Sequence, residues 1–298
     1  MTSRHVARLR CPVCANPDWH ARIGGEECTH CGLQVDAGVP LDGVRAAMLH
    51  RLGEGLACGA PNDRWALTAE GWRNAAWRFG YVLDHDRAGP AVPRNHAITL
   101  GIITRPEECA DAAALVAALP EFARRIVLID APDAAPWGDA FPGVELHAHP
   151  LAGDFAAQRN RVQALAGEGW VLQLDSDERP DAVLRDSLGW LVAAADGDGL
   201  ESLGLARCNL VDGAQSALFP DIQYRLNRSA VRFAGNVHEG PVVPFAQTSL
   251  ALSGVIEHRL DAVRVRARTR TYAAMSADGA RPEDETRLLR PFDTIADR

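Results

Sequence analysis

Gly169-Trp170-Val171-Leu172-Gln173-Leu174-Asp175-Ser176-Asp177-Glu178-Arg179 decides the fold. Trp170 to Leu174 is apolar but for Gln173, and acid follows at once. A short apolar run that ends in carboxylates reads as a buried strand surfacing at its carboxyl end. The same signature recurs upstream. Residues 98–103 and 126–130 read as buried strands, and 144–147 as a short third. Between them, 107–119 reads as a helix with Ala112, Leu115, Val116 and Leu119 on one face. Asp154 is a natural N-cap for a helix running to about residue 166, with Phe155, Val162 and Leu165 turned inward. Another helix is expected over about 180–195. Strands separated by helices imply parallel pairing through right-handed crossovers. The expected class is therefore α/β, a mostly parallel sheet flanked by helices. Ligands of such sheets sit outside the carboxyl ends of the strands, which singles out Asp130 and the 175–178 acids.

Composition narrows the function classes. The 298 residues carry 31 basic and 39 acidic side chains, a net charge of −8. Every basic residue is arginine, because the sequence contains no lysine. Excess acid argues against broad DNA binding, which needs a positive surface. There is no apolar run of the roughly 20 residues that cross a bilayer. Residues 1–10 lack an apolar core, so no export signal is expected, and seven cysteines, an odd number with four in metal-type spacing, point to a reducing compartment, the cytoplasm.

Cys11-Pro-Val-Cys14 and Cys28-Thr-His-Cys31 stand 13 residues apart. Two thiolates on each of two tight turns can close a tetrahedron around Zn2+. Four thiolates leave no open position, so the metal is structural, and its binding supplies the folding energy of a segment too small for its own core. His20 and His30 are weaker alternatives as ligands. Cys58, Cys109 and Cys208 lack metal spacing and read as small buried hydrophobes rather than nucleophiles. The expected organisation is a zinc ribbon (1–37), a helical connector (38–95) with a stripe from Trp72 to Leu83, the α/β domain (96–275) and a polar, loosely packed tail (276–298).

Asp175, Asp177 and Glu178 crowd three carboxylates into four residues. Like charges so placed need a counter-charge. A divalent cation is the simplest one, and hard oxygen ligands suit Mg2+ or Mn2+ holding substrate phosphates. The plainer alternative is an N-cap followed by a solvated acidic turn.

Two blocks carry a resemblance. Asp154-Phe-Ala-Ala-Gln-Arg-Asn160 leads into the 169–179 run, and Tyr224-Arg-Leu-Asn-Arg228 precedes Phe233-Ala-Gly-Asn-Val-His-Glu239. Together with Ile256-Glu-His258 these resemble family 2 glycosyltransferases of the GT-A (Rossmann-like) fold, in the branch of lipopolysaccharide-core and peptide glycosyltransferases. The likeness spans about residues 97–275, and the zinc ribbon lies outside the family pattern. It implies a metal-dependent, inverting transfer of a sugar from a nucleoside-diphosphate donor, with a UDP-sugar expected, to a soluble or lipid-linked acceptor.

The resemblance assigns Asp175 and Asp177 to the divalent cation. His238 is a third ligand in one reading and a structural histidine in another, and His258 is a further candidate for metal or diphosphate. Thr104, Arg105, Asp130, Arg159 and Asn160 are expected around the nucleotide. The family's acidic run after the second strand is altered here to Asp130-Ala-Pro-Asp133 with a later Asp139. Glu239 is the candidate general base, with Asp177 and Glu178 competing. Arg264, Arg266, Arg268 and Arg270 fall on helix faces that read either as an anion site or, by preference, as a solvated surface. Two rival functions remain: a non-catalytic zinc-ribbon adaptor that binds sugar nucleotides, and nucleotidyl transfer.

Overall fold

The computed structural model describes residues 11, 19–22, 25–28, 33–41, 43–44, 46–47, 50, 65–66, 98–197, 199–219, 221–244, 247–275 and 282–292. Cys14, Cys31, Cys58, His30 and the stripe from Trp72 to Leu83 lie outside them.

Near the amino terminus, β1 (Trp19–Arg22), β2 (Gly25–Cys28), β3 (Gln34–Asp36) and β4 (Trp65–Ala66) form an antiparallel sheet in that order. Its core holds Cys11 and Cys28, each 1% exposed, with Trp19, Leu33, Val35, Val44 and Trp65. The leading cysteines of the two pairs thus share one apolar cluster.

The main body follows as β5 (Ile98–Thr104), α1 (Cys109–Ala118), β6 (Arg124–Ile129), β7 (Glu145–Ala148), α2 (Phe155–Ala166), β8 (Trp170–Asp175), β9 (Glu178–Pro180) and α3 (Ala182–Gly197). Then come β10 (Ser202–Val211), β11 (Ala214–Gln215), β12 (Asp221–Arg228), β13 (Phe233–Ala234), β14 (Gly240–Pro241), β15 (Thr248–Leu260), α4 (Ala262–Met275) and α5 (Pro282–Leu289). The large sheet runs β7-β6-β5-β8-β12-β10-β15-β9, with β11 beside β10. It is α/β but mixed, which corrects the expectation of a mostly parallel sheet. β7, β6, β5 and β8 are mutually parallel. β12 then runs antiparallel to β8 and β10, and β9 antiparallel to β15.

Packing explains the parallel half. Leu100, Ile102, Val127, Ile129, Leu172 and Leu174 are buried on one side beneath α1 and α3. On the other, Ile126, Leu128 and Val171 meet Val162 and Ala166 of α2. Asp154 caps α2 as expected, its Oδ1 accepting from the Ala157 amide at 2.9 Å. The buried face of that helix is unusual, for it includes Gln158, Arg159 and Gln163 as well as Val162. Gly101 is required there: a Cβ would lie 2.3 Å from Val162 Cγ1.

The mixed half is set by a register shift. Leu205 pairs with Ala251, but Arg207 pairs with Ile256, so β15 carries extra residues. Gly254 sits in that excursion at φ +73°, where a Cβ would lie 2.2 Å from the Leu184 amide nitrogen. Beyond the shift, Asn209 stands opposite His258. The tail is not uniformly loose. α5 buries Leu288 against Leu260 and Val265.

Candidate active site

The carboxyl ends of β5, β6 and β8 open into a cavity of about 630 Å³. Thr104, Arg105, Asp130, Arg159, Asp175, Asp177, His238, Glu239 and His258 all line it. Asn160 does not. Its amide donates to the Phe233 carbonyl at 3.0 Å and accepts from the Phe233 N–H at 2.7 Å, which ties α2 to β13. That clamp positions the 235–239 loop rather than a ligand.

The counter-charge demanded by the acids comes largely from arginine, which sequence reasoning assigned to a metal. Arg159 Nη2 reaches Asp175 Oδ1 at 2.9 Å, and Arg225 Nη2 reaches Asp175 Oδ2 at 2.7 Å. Glu178, fully buried, accepts from Arg207 Nη1 at 3.0 Å, from Arg225 Nη2 at 3.1 Å and from the Asp175 amide at 3.0 Å. Arg207 also grips Asp221 Oδ2 at 2.6 Å. Glu239 accepts from Arg159 Nε at 2.6 Å. A second group forms at the rim, where Glu108 meets Arg105, Arg264 and the Ser176 hydroxyl.

At Glu108, Asp175, Asp221 and Glu239 burial is the largest single influence and pushes the carboxyl up, but the guanidiniums and hydrogen-bond donors around it overcome that push. Arg159 and Arg225 hold Asp175 below the usual carboxylate range, and the same pair lowers Glu239. Arg207 and Asn209 bring Asp221 down to about 2. Every acid of this set whose shift is resolved therefore stays ionised at neutral pH.

Counting partners, the network joins the guanidiniums of Arg105, Arg159, Arg207, Arg225 and Arg264 to the carboxylates of Glu108, Asp175, Asp177, Glu178, Asp221 and Glu239. One negative charge is left over. Arg105 and Arg264 balance Glu108 and Asp177, so the surplus sits among the acids around Arg159, Arg207 and Arg225, and His258 stands beside Asp177. Asn209 Nδ2 donates to the Leu218 carbonyl at 3.2 Å and to Asp221 at 3.1 Å. Its Oδ1 is thereby an acceptor, and it lies 2.7 Å from His258 Nδ1. His258 therefore carries its proton on Nδ1. Burial, then Arg207, push its pKa below the ordinary 6.5, so the ring is neutral. Its Nε2 lone pair then faces Asp177 Oδ2 at 3.5 Å. Two acceptors so opposed fit a shared cation, and a histidine held by its other nitrogen is the arrangement metal ligands adopt. Among the described residues, no three His, Cys, Asp or Glu side chains form a ready-made cage, so further ligands would have to come from substrate.

His238 goes elsewhere. Its ring meets Tyr272 edge-on, with centroids 5.6 Å apart. Its backbone is left-handed at φ +55°, rare without glycine, and this turns the loop so that Glu239 reaches Arg159. Asp130 Oδ1 accepts from the Leu151 amide at 2.7 Å. Gln158 Oε1 and Arg159 Nη1 are buried without a hydrogen-bond partner, and both residues line the cavity. They leave one acceptor and one donor for a ligand.

The arginine helix is only half solvated, contrary to the preferred expectation. Arg264 and Arg268 line the cavity, whereas Arg266 and Arg270 are exposed. Arg264 Nη2 lies 3.2 Å from Asp177 Oδ2, and Arg268 sits over Tyr272 at 5.8 Å. Cys109 is buried and Cys208 half-buried. Burial pushes both thiols up, which suits packing rather than nucleophilic roles. Sequence reasoning missed Glu108, Arg207, Asn209, Asp221 and Arg225 as site residues.

No protein-family model matches the chain, and no curated protein matches it. Solved structures overlap it weakly. Residues 1–349 of S. aureus TarS in complex with UDP are 12% identical over 64% of this chain and 69% of that one, with a TM-score of 0.36. Against another S. aureus TarS structure the identity is 12% over 64% of this chain, 42% of that chain is covered, and the TM-score is 0.35. A 4-diphosphocytidyl-2C-methyl-D-erythritol synthase is 11% identical over 53% of this chain and 89% of that one, at 0.31. Likeness at this level decides nothing about chemistry. Among the described residues, no helix is long and apolar enough to cross a membrane.

Proposed function

We propose that the chain is an inverting glycosyltransferase of GT-A type that takes a sugar from a UDP-sugar. One observation carries the reading: Asp177 and the His258 lone pair face each other at 3.5 Å inside the cavity where the β5, β6 and β8 ends converge. Asp177 and His258 would hold Mn2+ or Mg2+, with Asp175 one third exposed beside them. A divalent cation bound there supplies positive charge against the charge that develops on the departing diphosphate.

The chain's own groups do the rest. Thr104, Asp130, Gln158 and Arg159 offer polar contacts to the nucleotide, and Arg268 adds a cavity guanidinium for phosphate oxygens. The acceptor oxygen attacks the anomeric carbon on the face opposite the diphosphate. The new C–O bond forms as the bond to the β-phosphate oxygen breaks, and the nucleoside diphosphate leaves with the electron pair. The acceptor proton passes to Glu239 or Asp177, and Arg159 and Arg225 hold Glu239 ionised. Asp177, engaged with the cation and beside Arg264, would be the weaker base of the two, which favours Glu239.

Zinc on Cys11, Cys14, Cys28 and Cys31 belongs to the same reading. The burial of Cys11 and Cys28 in one cluster supports it, and elemental analysis should return about one zinc per chain. The function is tested by UDP-sugar hydrolysis or transfer with and without Mn2+. Loss of turnover in Asp177→Asn and in His258→Gln is expected. Manganese-dependent turnover that survives both substitutions would remove the proposal, and pyrophosphate release from a nucleoside triphosphate would replace it with nucleotidyl transfer.

A further inference from the structure

The amino-terminal cysteine module and the cavity share a wall, and that wall is the first half of β12. Side chains alternate along a strand. Asp221 and Arg225 turn to the ionic network, where they meet Arg207 and Asp175. The intervening Ile222 and Tyr224 pack on the apolar cluster of the module, built around Trp19, Leu33, Val35 and Trp65. Ile222 and Tyr224 also line the cavity. Sheet support for this half-strand is one-sided. Among the described residues, β12 pairs with β8 from Leu226 to Arg228, while Asp221 to Gln223 pair with β10. Where β12 leaves β8, the module takes over as its backing.

We propose that the cysteine module is a brace for the active site: by packing on Ile222 and Tyr224 it fixes the first half of β12 and so holds Arg225 against Asp175 and Glu178. A half-strand paired on one edge opens locally more easily than one paired on both. A misplacement of about 1 Å at a guanidinium is enough to spoil a charged site. The module therefore serves the transferase domain rather than a separate partner. For its effect on donor binding, the inference rests on the function proposed above.

The test uses the full chain with Leu33→Ala and, as a milder change, Val35→Ala; neither residue lines the cavity. Hydrogen exchange is followed in 221–228 and, as reference, in β5 and β6, alongside UDP affinity in Mn2+. Exchange in 221–225 is expected to rise about tenfold with β5 and β6 unchanged, and UDP should bind about tenfold more weakly. Unchanged exchange in 221–225 in both variants would overturn the brace. Should the parent chain bind no UDP, the proposed function falls while the exchange comparison still decides this inference.

Discussion

The two halves of the large sheet do different work. The parallel half, β7-β6-β5-β8, is built on apolar strands and delivers acids at its strand ends, Asp130 and Asp175. The mixed half, β12-β10-β15-β9, buries polar side chains within its strands: Arg225, Asn227, Asn209, His258 and Glu178. Arg225 comes from that half and meets Asp175 at the end of β8, while Arg207 stays within it, on Glu178 and Asp221. The seam between β8 and β12 is thus where opposite charges are joined. The difference separates a half held mainly by apolar burial, with Thr99, Thr104 and Gln173 as buried polar exceptions, from one whose strands bury paired ions.

The sharpest way to break this contrast is to remove a cation from the seam. Arg225→Ala leaves Asp175 and Glu178 short of a shared partner. It should cost about 3–5 kcal/mol in denaturant unfolding, because only Arg159 and Arg207 then face the four acids beside them. A loss under about 1 kcal/mol would mean that the seam is effectively solvated. Next in size are the close approaches. Gly254→Ala combines a left-handed φ with a clash against the Leu184 backbone and should cost about 2–3 kcal/mol in the same assay. A neutral result would show that the β15 excursion is free to relax.

Much of the parallel half was legible in advance, and the reason is local. Residues 98–103, 126–130 and 169–174 are apolar runs of strand length, and Asp154 and Gly167 bracket α2. The acids were legible because they end such runs. The mixed half was not. Its strands place Arg207 with Asn209, and Asp221 with Gln223 and Arg225, at period 2. That alternation was available as a signal, but it looks like a solvent face until long-range pairing buries it. For the same reason the acids were matched to a metal when most of their counter-charge is arginine. His258 gains its role only through the β15 register shift, which no local pattern announces.

Acid should distinguish the ionic half further. Asp221 titrates at about 2 when folded against an ordinary 3.8, so it favours the folded state above 3.8. That contribution is lost as pH falls from 3.8 towards about 2. In denaturant unfolding across that window, Asp221→Asn should start less stable and then lose less than the parent. Equal losses in parent and variant would detach Asp221 from the network. The smallest effect is expected at the surface. Arg185 and Glu121, paired at 2.7 Å with both side chains more than a third exposed, should be worth no more than about 1 kcal/mol. Thermal unfolding of Arg185→Ala checks this, and a larger loss would blur the line drawn between surface and seam.

The central claim is that Asp177 and His258 form a cation site serving a nucleoside diphosphate. Calorimetric titration of UDP into the full chain, with and without Mn2+, tests it most directly, in the parent and in Asp177→Asn. The account predicts parent binding that tightens at least about tenfold with Mn2+, and an Asp177→Asn variant in which Mn2+ makes no difference. UDP binding that is indifferent to Mn2+ in the parent, or equally Mn2+-dependent in the variant, would contradict it.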